Sequence, residues 1–139
     1  MDLKISESLT LDYKRSDALA GPKKDIAKDV SAFANSAGGR IVYGVIEQGH
    51  EPITVDDGVD PSEYSREWLE EVIRSNVSPR IQSLLIKQIP LPSGRVSYVL
   101  DIPAATSLAP HQAADKRYYK RFNFQSVPME SLTSRIGNT

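Results

Sequence analysis

The chain has 139 residues, 40% of them apolar, which suits one ordinary hydrophobic core, so we expect a single domain over residues 1–139. The absence of Cys excludes disulfides, thiol catalysis and thiolate metal sites. No run of about eighteen apolar residues and no charged-then-apolar leader is present, which predicts a cytoplasmic protein without a membrane span.

The net charge of −1 conceals two oppositely charged halves. Residues 1–71 carry 8 Lys or Arg and 15 Asp or Glu, a net of −7, whereas residues 72–139 carry 9 and 3, a net of +6. Such asymmetry fits either a basic face for nucleic acid or two halves that attract each other in the fold.

The first elements are a strand, a helix and a second strand. Alternation of apolar and polar residues predicts a strand over residues 8–14, with Asp12 and Lys14 sharing one face. Helical spacing after Pro22 predicts a helix over 23–36 that ends at Gly38-Gly39. The apolar run Ile41–Ile46 then predicts a central strand covered on both faces and ending at Glu47.

The remaining elements alternate turns with short apolar runs. In chain order we predict a loop over 48–61, a helix capped by Ser62, a hairpin of Ile81–Ile89 and Val96–Ile102, a loop over 103–115, a strand over Lys116–Phe124 and a closing helix over Val127–Ile136. The order β-α-β-α-β-β-β-α indicates an α+β fold with a single mixed, mainly antiparallel sheet and helices packed on it.

One group of acidic residues could converge at strand ends. Glu7 and Asp12 flank the start of the first strand, and Glu47 ends the central one. Neighbouring carboxylates there could hold Mg²⁺ or Mn²⁺, which prefer oxygen ligands. The alternative is that these acids lie at strand ends only for solubility.

Two groups of basic residues could bind phosphates. The segment Lys116–Phe122 has four cations, three aromatic residues and no acid, which suits phosphates and unpaired bases but also fits a protected edge strand. Lys23, Lys24 and Lys28 lie at the start of the first helix, where an anion is favoured, although such lysines are commonly only solvated.

Several sequence blocks together resemble the Schlafen AlbA-2 domain family. In chain order these blocks are Glu7-x4-Asp12-Tyr-Lys14, then Ala32-Phe-Ala-Asn35-Ser-Ala-Gly38-Gly39-Arg-Ile-Val-Tyr-Gly44-Val45, then Pro110-His111 and Tyr118-Tyr119-x-Arg121. The resemblance runs over about residues 6–132. It implies a DNA- or RNA-binding domain, because members of the family are described as DNA-binding.

The resemblance also implies a second activity. Some Schlafen proteins cleave RNA with a three-carboxylate metal site, two of whose acids map onto Glu7 and Asp12. Glu47 is the candidate for the third, although the family usually has aspartates directly after Gly-Val and this chain has Ile46-Glu47-Gln48. Since Schlafen proteins have two such lobes, the resemblance further suggests a homodimer here.

We therefore expect a nucleic-acid-binding module dominated by phosphate contacts with little base specificity. The expected contacts are Lys14, Lys23, Lys24, Lys116, Lys120 and Arg121. Binding would need no cofactor. The alternatives are a Mg²⁺- or Mn²⁺-dependent nuclease using Glu7, Asp12 and Glu47, and a protein-interaction module whose acidic stretch Glu51–Glu71 binds a basic partner.

Overall fold

The structure is a computed structural model that describes residues 10–105 and 110–129. Glu7 and most of the predicted closing helix lie outside the described residues. The strands are β1 (Leu11–Lys14), β2 (Gly39–Tyr43), β3 (Val45–Gln48), β4 (Glu51–Val55), β5 (Val77–Ser78), β6 (Leu85–Pro90), β7 (Val96–Ile102), β8 (Gln112–Ala113), β9 (Tyr119–Phe122) and β10 (Gln125–Pro128). The helices are α1 (Lys23–Ala34) and α2 (Arg66–Asn76), and a 3-10 turn covers Ser16–Ala20.

The main sheet has four strands in the order β1-β2-β7-β6. β1 runs parallel to β2, whereas β7 pairs antiparallel with both β2 and β6. The α+β class and the mixed, mainly antiparallel sheet are therefore confirmed. The predicted hairpin is also confirmed and corresponds to β6 and β7. Three further two-stranded pairs, β3-β4, β5-β8 and β9-β10, accompany this sheet.

The larger core lies between the main sheet and the two helices. Ile41 and Tyr43 of β2 and Leu100 of β7 pack there with Phe33 of α1 and Leu69 of α2. The opposite face of the sheet carries a smaller cluster of Tyr13, Val42, Val45 and Val99. β2 is thus covered on both sides, which confirms the prediction made from its apolar run.

The turn between α1 and β2 requires glycine. Gly38 has φ +74°, and its N–H donates to the Phe33 carbonyl oxygen at 2.8 Å, which ends the helix. A Cβ at Gly38 would lie 2.6 Å from the Ile102 carbonyl oxygen. The polypeptide can therefore reverse direction tightly against β7 only without a side chain at this position.

The predicted strand Ile41–Ile46 is broken in the structure. Gly44, with φ +115°, separates β2 from β3, and β3 leaves the main sheet to pair with β4. β4 lies inside the stretch 48–61, so the prediction of a continuous loop there was wrong. The β-branched residues Ile53–Val55 form a strand because β3 offers them an antiparallel partner.

The second predicted helix begins later than expected. The Ser65 side chain accepts a hydrogen bond from the Trp68 N–H at 3.0 Å and caps α2. Ser62 instead donates its hydroxyl to Asp60 at 2.7 Å. The prediction of a Ser62 cap was therefore wrong.

The last part of the described chain has more strands than predicted. β8 lies within the predicted loop 103–115 and pairs with β5, and β10 occupies Gln125–Pro128, where the closing helix was predicted to begin. β10 pairs antiparallel with β9 because Asn123, at φ +56°, allows a tight reversal between them. Among the described residues, neither α1 nor α2 has the length and hydrophobicity of a membrane-spanning helix.

Candidate nucleic-acid interface

An open cavity of about 490 Å³ lies where β1, the start of α1 and the β9-β10 hairpin meet. We call it the Arg121 cleft. Its lining side chains include three cations and two carboxylates. These residues are Lys14, Lys28, Arg121, Asp25 and Asp29. Phe124, Gln125 and Ser126 complete the wall that β10 and its turn supply.

Lys14 extends from β1 between two carboxylates. Its Nζ lies 3.3 Å from Asp12 Oδ2 and 3.5 Å from Asp29 Oδ2, with a third of the side chain exposed. Burial opposes the charged form, but the negative charges and hydrogen bonds of Asp29 and Asp12 outweigh it and raise the pKa of the Lys14 ammonium. Lys14 is therefore held charged by acids inside the protein.

Arg121 is the most enclosed cation of the cleft, with its side chain 1% exposed. Its guanidinium stacks over the Phe33 ring at 4.4 Å, and Nη1 lies 3.8 Å from Asp12 Oδ2. Nη1 also donates to Ser126 Oγ at 3.3 Å. Within the described part of the chain, Nε and Nη2 are buried without a hydrogen-bond partner.

Four charged side chains form one connected group, which we call the charge cluster. Its members are Asp12, Lys14, Asp29 and Arg121, two acids and two cations. Ser126 links the group, because it donates to Asp29 Oδ1 at 2.7 Å and accepts from Arg121. The cluster is formally neutral, so its two cations are largely compensated within the protein.

Residues after the end of α1 fix β9, and with it Arg121. The Asn35 side-chain amide donates to the carbonyl oxygens of His111 and Tyr119, both at 2.9 Å, and its carbonyl accepts from the His111 N–H at 2.7 Å. Ser36 Oγ accepts from the Arg121 N–H at 2.9 Å. Asn35 and Ser36 therefore place the Arg121 side chain over Phe33.

The other predicted phosphate contacts are spread over three places. Lys23 and Lys24 are exposed in the first turn of α1, next to the cleft wall, and Lys28 of the same helix lies over the Tyr119 ring at 5.6 Å. Lys120 is half-buried and, by strand alternation, points to the face of β9 opposite Arg121. Lys116 lines a different cavity.

That second cavity, of about 360 Å³, lies between the end of α2 and the β5-β8 pair. We call it the basic pocket. Its cations are Arg74, Arg80 and Lys116, all exposed, and among the described residues no carboxylate lines it. Arg74 nevertheless has an exposed partner in Glu71, at 3.3 Å.

The predicted metal ligands are only partly described. Asp12 is buried next to Lys14 and Arg121, whereas Glu47 is exposed in β3 opposite Pro52. Over residues 10–105 and 110–129, no group of three His, Asp or Glu side chains could hold a metal ion. The described residues alone therefore do not fit a metal site. The three-carboxylate nuclease stays a prediction, since Glu7 lies outside them.

The family model described as Schlafen, AlbA_2 matches residues 7–130. The chain belongs to this family. The match includes β1, α1 and the β9-β10 hairpin, which together build the Arg121 cleft. No curated protein matches the chain.

Solved structures extend the AlbA_2 comparison to the fold. The DIP2311 protein from Corynebacterium diphtheriae matches with a TM-score of 0.60 and 17% identity, over 87% of this chain but 25% of that one. The N-terminal domain of a protein from Nitrosomonas europaea, named as related to the ATP-dependent DNA helicase RecG, matches with a TM-score of 0.52 and 24% identity, over 73% of this chain and 67% of that one. This chain thus spans a quarter of the Corynebacterium protein, and at these identities the likeness shows the fold alone.

Several cleft residues were missing from the predicted set. Asp25 and Asp29 are four residues apart on α1, so helical spacing could have placed both beside Lys28. Phe124 and Ser126 could not have been found in the same way, because the pattern after residue 127 predicted a helix rather than a returning strand.

Proposed function

We propose that this AlbA_2 domain binds nucleic acid through the phosphate backbone, with the Arg121 cleft as the centre of the interface. The observation that carries this proposal is the group of three lysines, Lys23, Lys24 and Lys28, in the first turns of α1 beside the open cleft. The name of the Nitrosomonas protein, related to a DNA helicase, supports the same class of ligand.

The start of α1 adds to the positive potential of this cleft. Pro22 precedes the helix, and no side chain caps its first turn. The backbone N–H groups at a helix start and the helix dipole both favour an anion. A phosphate at the rim of the cleft would therefore meet backbone donors as well as lysines.

The six predicted contacts have different roles in this proposal. Lys14 and Arg121 are compensated by Asp12 and Asp29, so they shape the cleft wall and contribute less free positive charge. The phosphate contacts fall mainly to the exposed Lys23 and Lys24, joined by Lys28. Lys116 and Lys120 lie on other surfaces and would contact a strand only beyond the cleft.

Binding of a fluorescently labelled oligonucleotide, measured by anisotropy over a series of salt concentrations, tests the proposal. Phosphate contacts release counterions, so the affinity should fall steeply and log-linearly with salt. The double variant Lys24→Gln/Lys28→Gln should bind more weakly and lower the slope by about two, one for each contact.

The matched control removes the same charge elsewhere. Arg66 and Lys87 are exposed and paired with Glu70 on α2 and Asp101 on β7, so Arg66→Gln/Lys87→Gln should leave the slope unchanged. Equal loss in both double variants would indicate binding that depends only on net charge. No binding at low salt would overturn the proposal. Sedimentation of the same samples tests the predicted homodimer.

A further inference from the structure

Phe124 is an exposed aromatic residue on the wall of the Arg121 cleft. It follows Asn123 at the turn between β9 and β10, and 40% of its surface is accessible. The same cavity is lined by Lys14, Lys28 and Arg121. An apolar ring and the half-buried Lys14 and Lys28 thus line one space.

The Phe124 ring is held by a second aromatic ring. His50, at the tip of the β3-β4 hairpin, stacks on it with ring centroids 4.0 Å apart and planes inclined by 13°. Gly49 and His50, at φ +60° and +65°, form the tight turn that brings the hairpin tip to this point. His50 covers one face of the ring, and two separate hairpins fix its orientation.

We infer that the Phe124 ring is a stacking subsite for an unpaired nucleobase, with His50 as the residue that positions it. This inference rests on the proposed function, because the lysines at the start of α1 must hold the adjoining phosphates. A planar base stacks on an aromatic face whatever its hydrogen-bonding edge, so such a subsite binds single strands with little sequence preference.

Phe122 provides a contrast within the same hairpin. It is more exposed than Phe124, at 60%, and lies on the face of β9 opposite Arg121. Among the described residues that line the cleft, Phe122 is absent and Phe124 is present. A single exposed Phe is ordinary on a protein surface, and what distinguishes Phe124 is its fixed orientation next to cations.

Two single-stranded oligomers of equal length test the inference, one with bases and one abasic, since both carry the same phosphates. Phe124→Ala should lower the affinity for the base-containing oligomer by about fivefold to 150-fold and leave the abasic oligomer unaffected. Phe124→Trp should restore binding, because it restores a ring face. Phe122→Ala should change neither affinity.

Three results would overturn the inference. An unchanged affinity of Phe124→Ala for the base-containing oligomer would exclude stacking while the proposed function stood. Equal losses for both oligomers would mean that Phe124 only shapes the cleft. If the natural chain bound neither oligomer at low salt, the proposed function and this subsite would both be wrong.

Discussion

The Arg121 cleft and the basic pocket each gather three cations, but the surroundings of those cations differ. In the cleft, Lys14 and Arg121 are bound to Asp12 and Asp29 in a neutral cluster. In the basic pocket, Arg74, Arg80 and Lys116 are exposed, and no described carboxylate lines the cavity. A basic residue near a cavity is therefore not the same as positive charge available to a ligand.

Burial explains the difference. Removing a charge from water costs several kcal/mol unless an opposite charge and hydrogen bonds replace the lost solvation, whereas an exposed cation needs no partner. Lys14 and Arg121 of the cleft consequently have acidic partners inside the protein, whereas the three pocket cations are exposed and Arg74 pairs with Glu71 only at the surface. The free energy of unfolding should therefore depend on Lys14 and Arg121 and not on the cations of the basic pocket.

The largest effect is expected for Arg121→Ala. Loss of the guanidinium leaves Asp12 with one cation fewer in a buried site and removes the contact with Phe33, so we expect a loss of about 3 kcal/mol in the free energy of unfolding, measured in urea. Lys120→Ala, one residue away and half-buried on the other face, should cost less than about 0.5 kcal/mol. Similar costs for the two variants would contradict a structural role for the cluster.

The second-largest effect is expected in nucleic-acid binding, when variants of the Arg121 cleft and of the basic pocket are compared. Arg80→Gln/Lys116→Gln removes two cations from the basic pocket, and Lys24→Gln/Lys28→Gln removes two from around the cleft. If the cleft is the centre of the interface, the pocket variant should retain most of the affinity and the salt slope of the natural chain. A larger loss for the pocket variant would move the interface to the end of α2.

The smallest effect concerns Lys14 at high pH. Its folded pKa is raised by Asp29 and Asp12 against the opposing effect of burial, so its stabilising contribution is complete below the unfolded value and is lost as the pH rises through the folded value. The stability difference between the natural chain and Lys14→Gln should therefore shrink as the pH rises above the ordinary lysine value of about 10.5. A difference that stays constant with pH would show that the ammonium charge does not contribute.

The sequence predicted the main sheet better than the hairpins attached to it. An apolar run predicts a buried strand such as β2, but the same run cannot show that Gly44 turns β3 away from the sheet. β4 was missed because Glu51 and Pro52 are typical of loops, and only pairing with β3 makes the segment a strand. The sequence pattern thus predicts strands that bury apolar side chains, such as β2, and misses short strands that form only by pairing with another strand, such as β4.

The candidate site shows the same limit. Alternation in β1 correctly placed Asp12 and Lys14 on one face but could not reveal that α1 and Arg121 cover that face. Arg121 was identified by residue type alone, since its acidic partner Asp12 is distant in sequence. Asp29 and Arg121, for example, meet through Ser126.

The double-glycine turn affects the position of the Phe33 ring and, through it, that of the buried Arg121 guanidinium. A Cβ at Gly39 would lie 2.7 Å from the Phe33 ring, and that ring supports the guanidinium of Arg121. A side chain at Gly39 would therefore force the Phe33 ring, and the guanidinium stacked on it, to shift. The absence of a side chain in this turn thus helps to fix the position of a buried cation on a different element, β9.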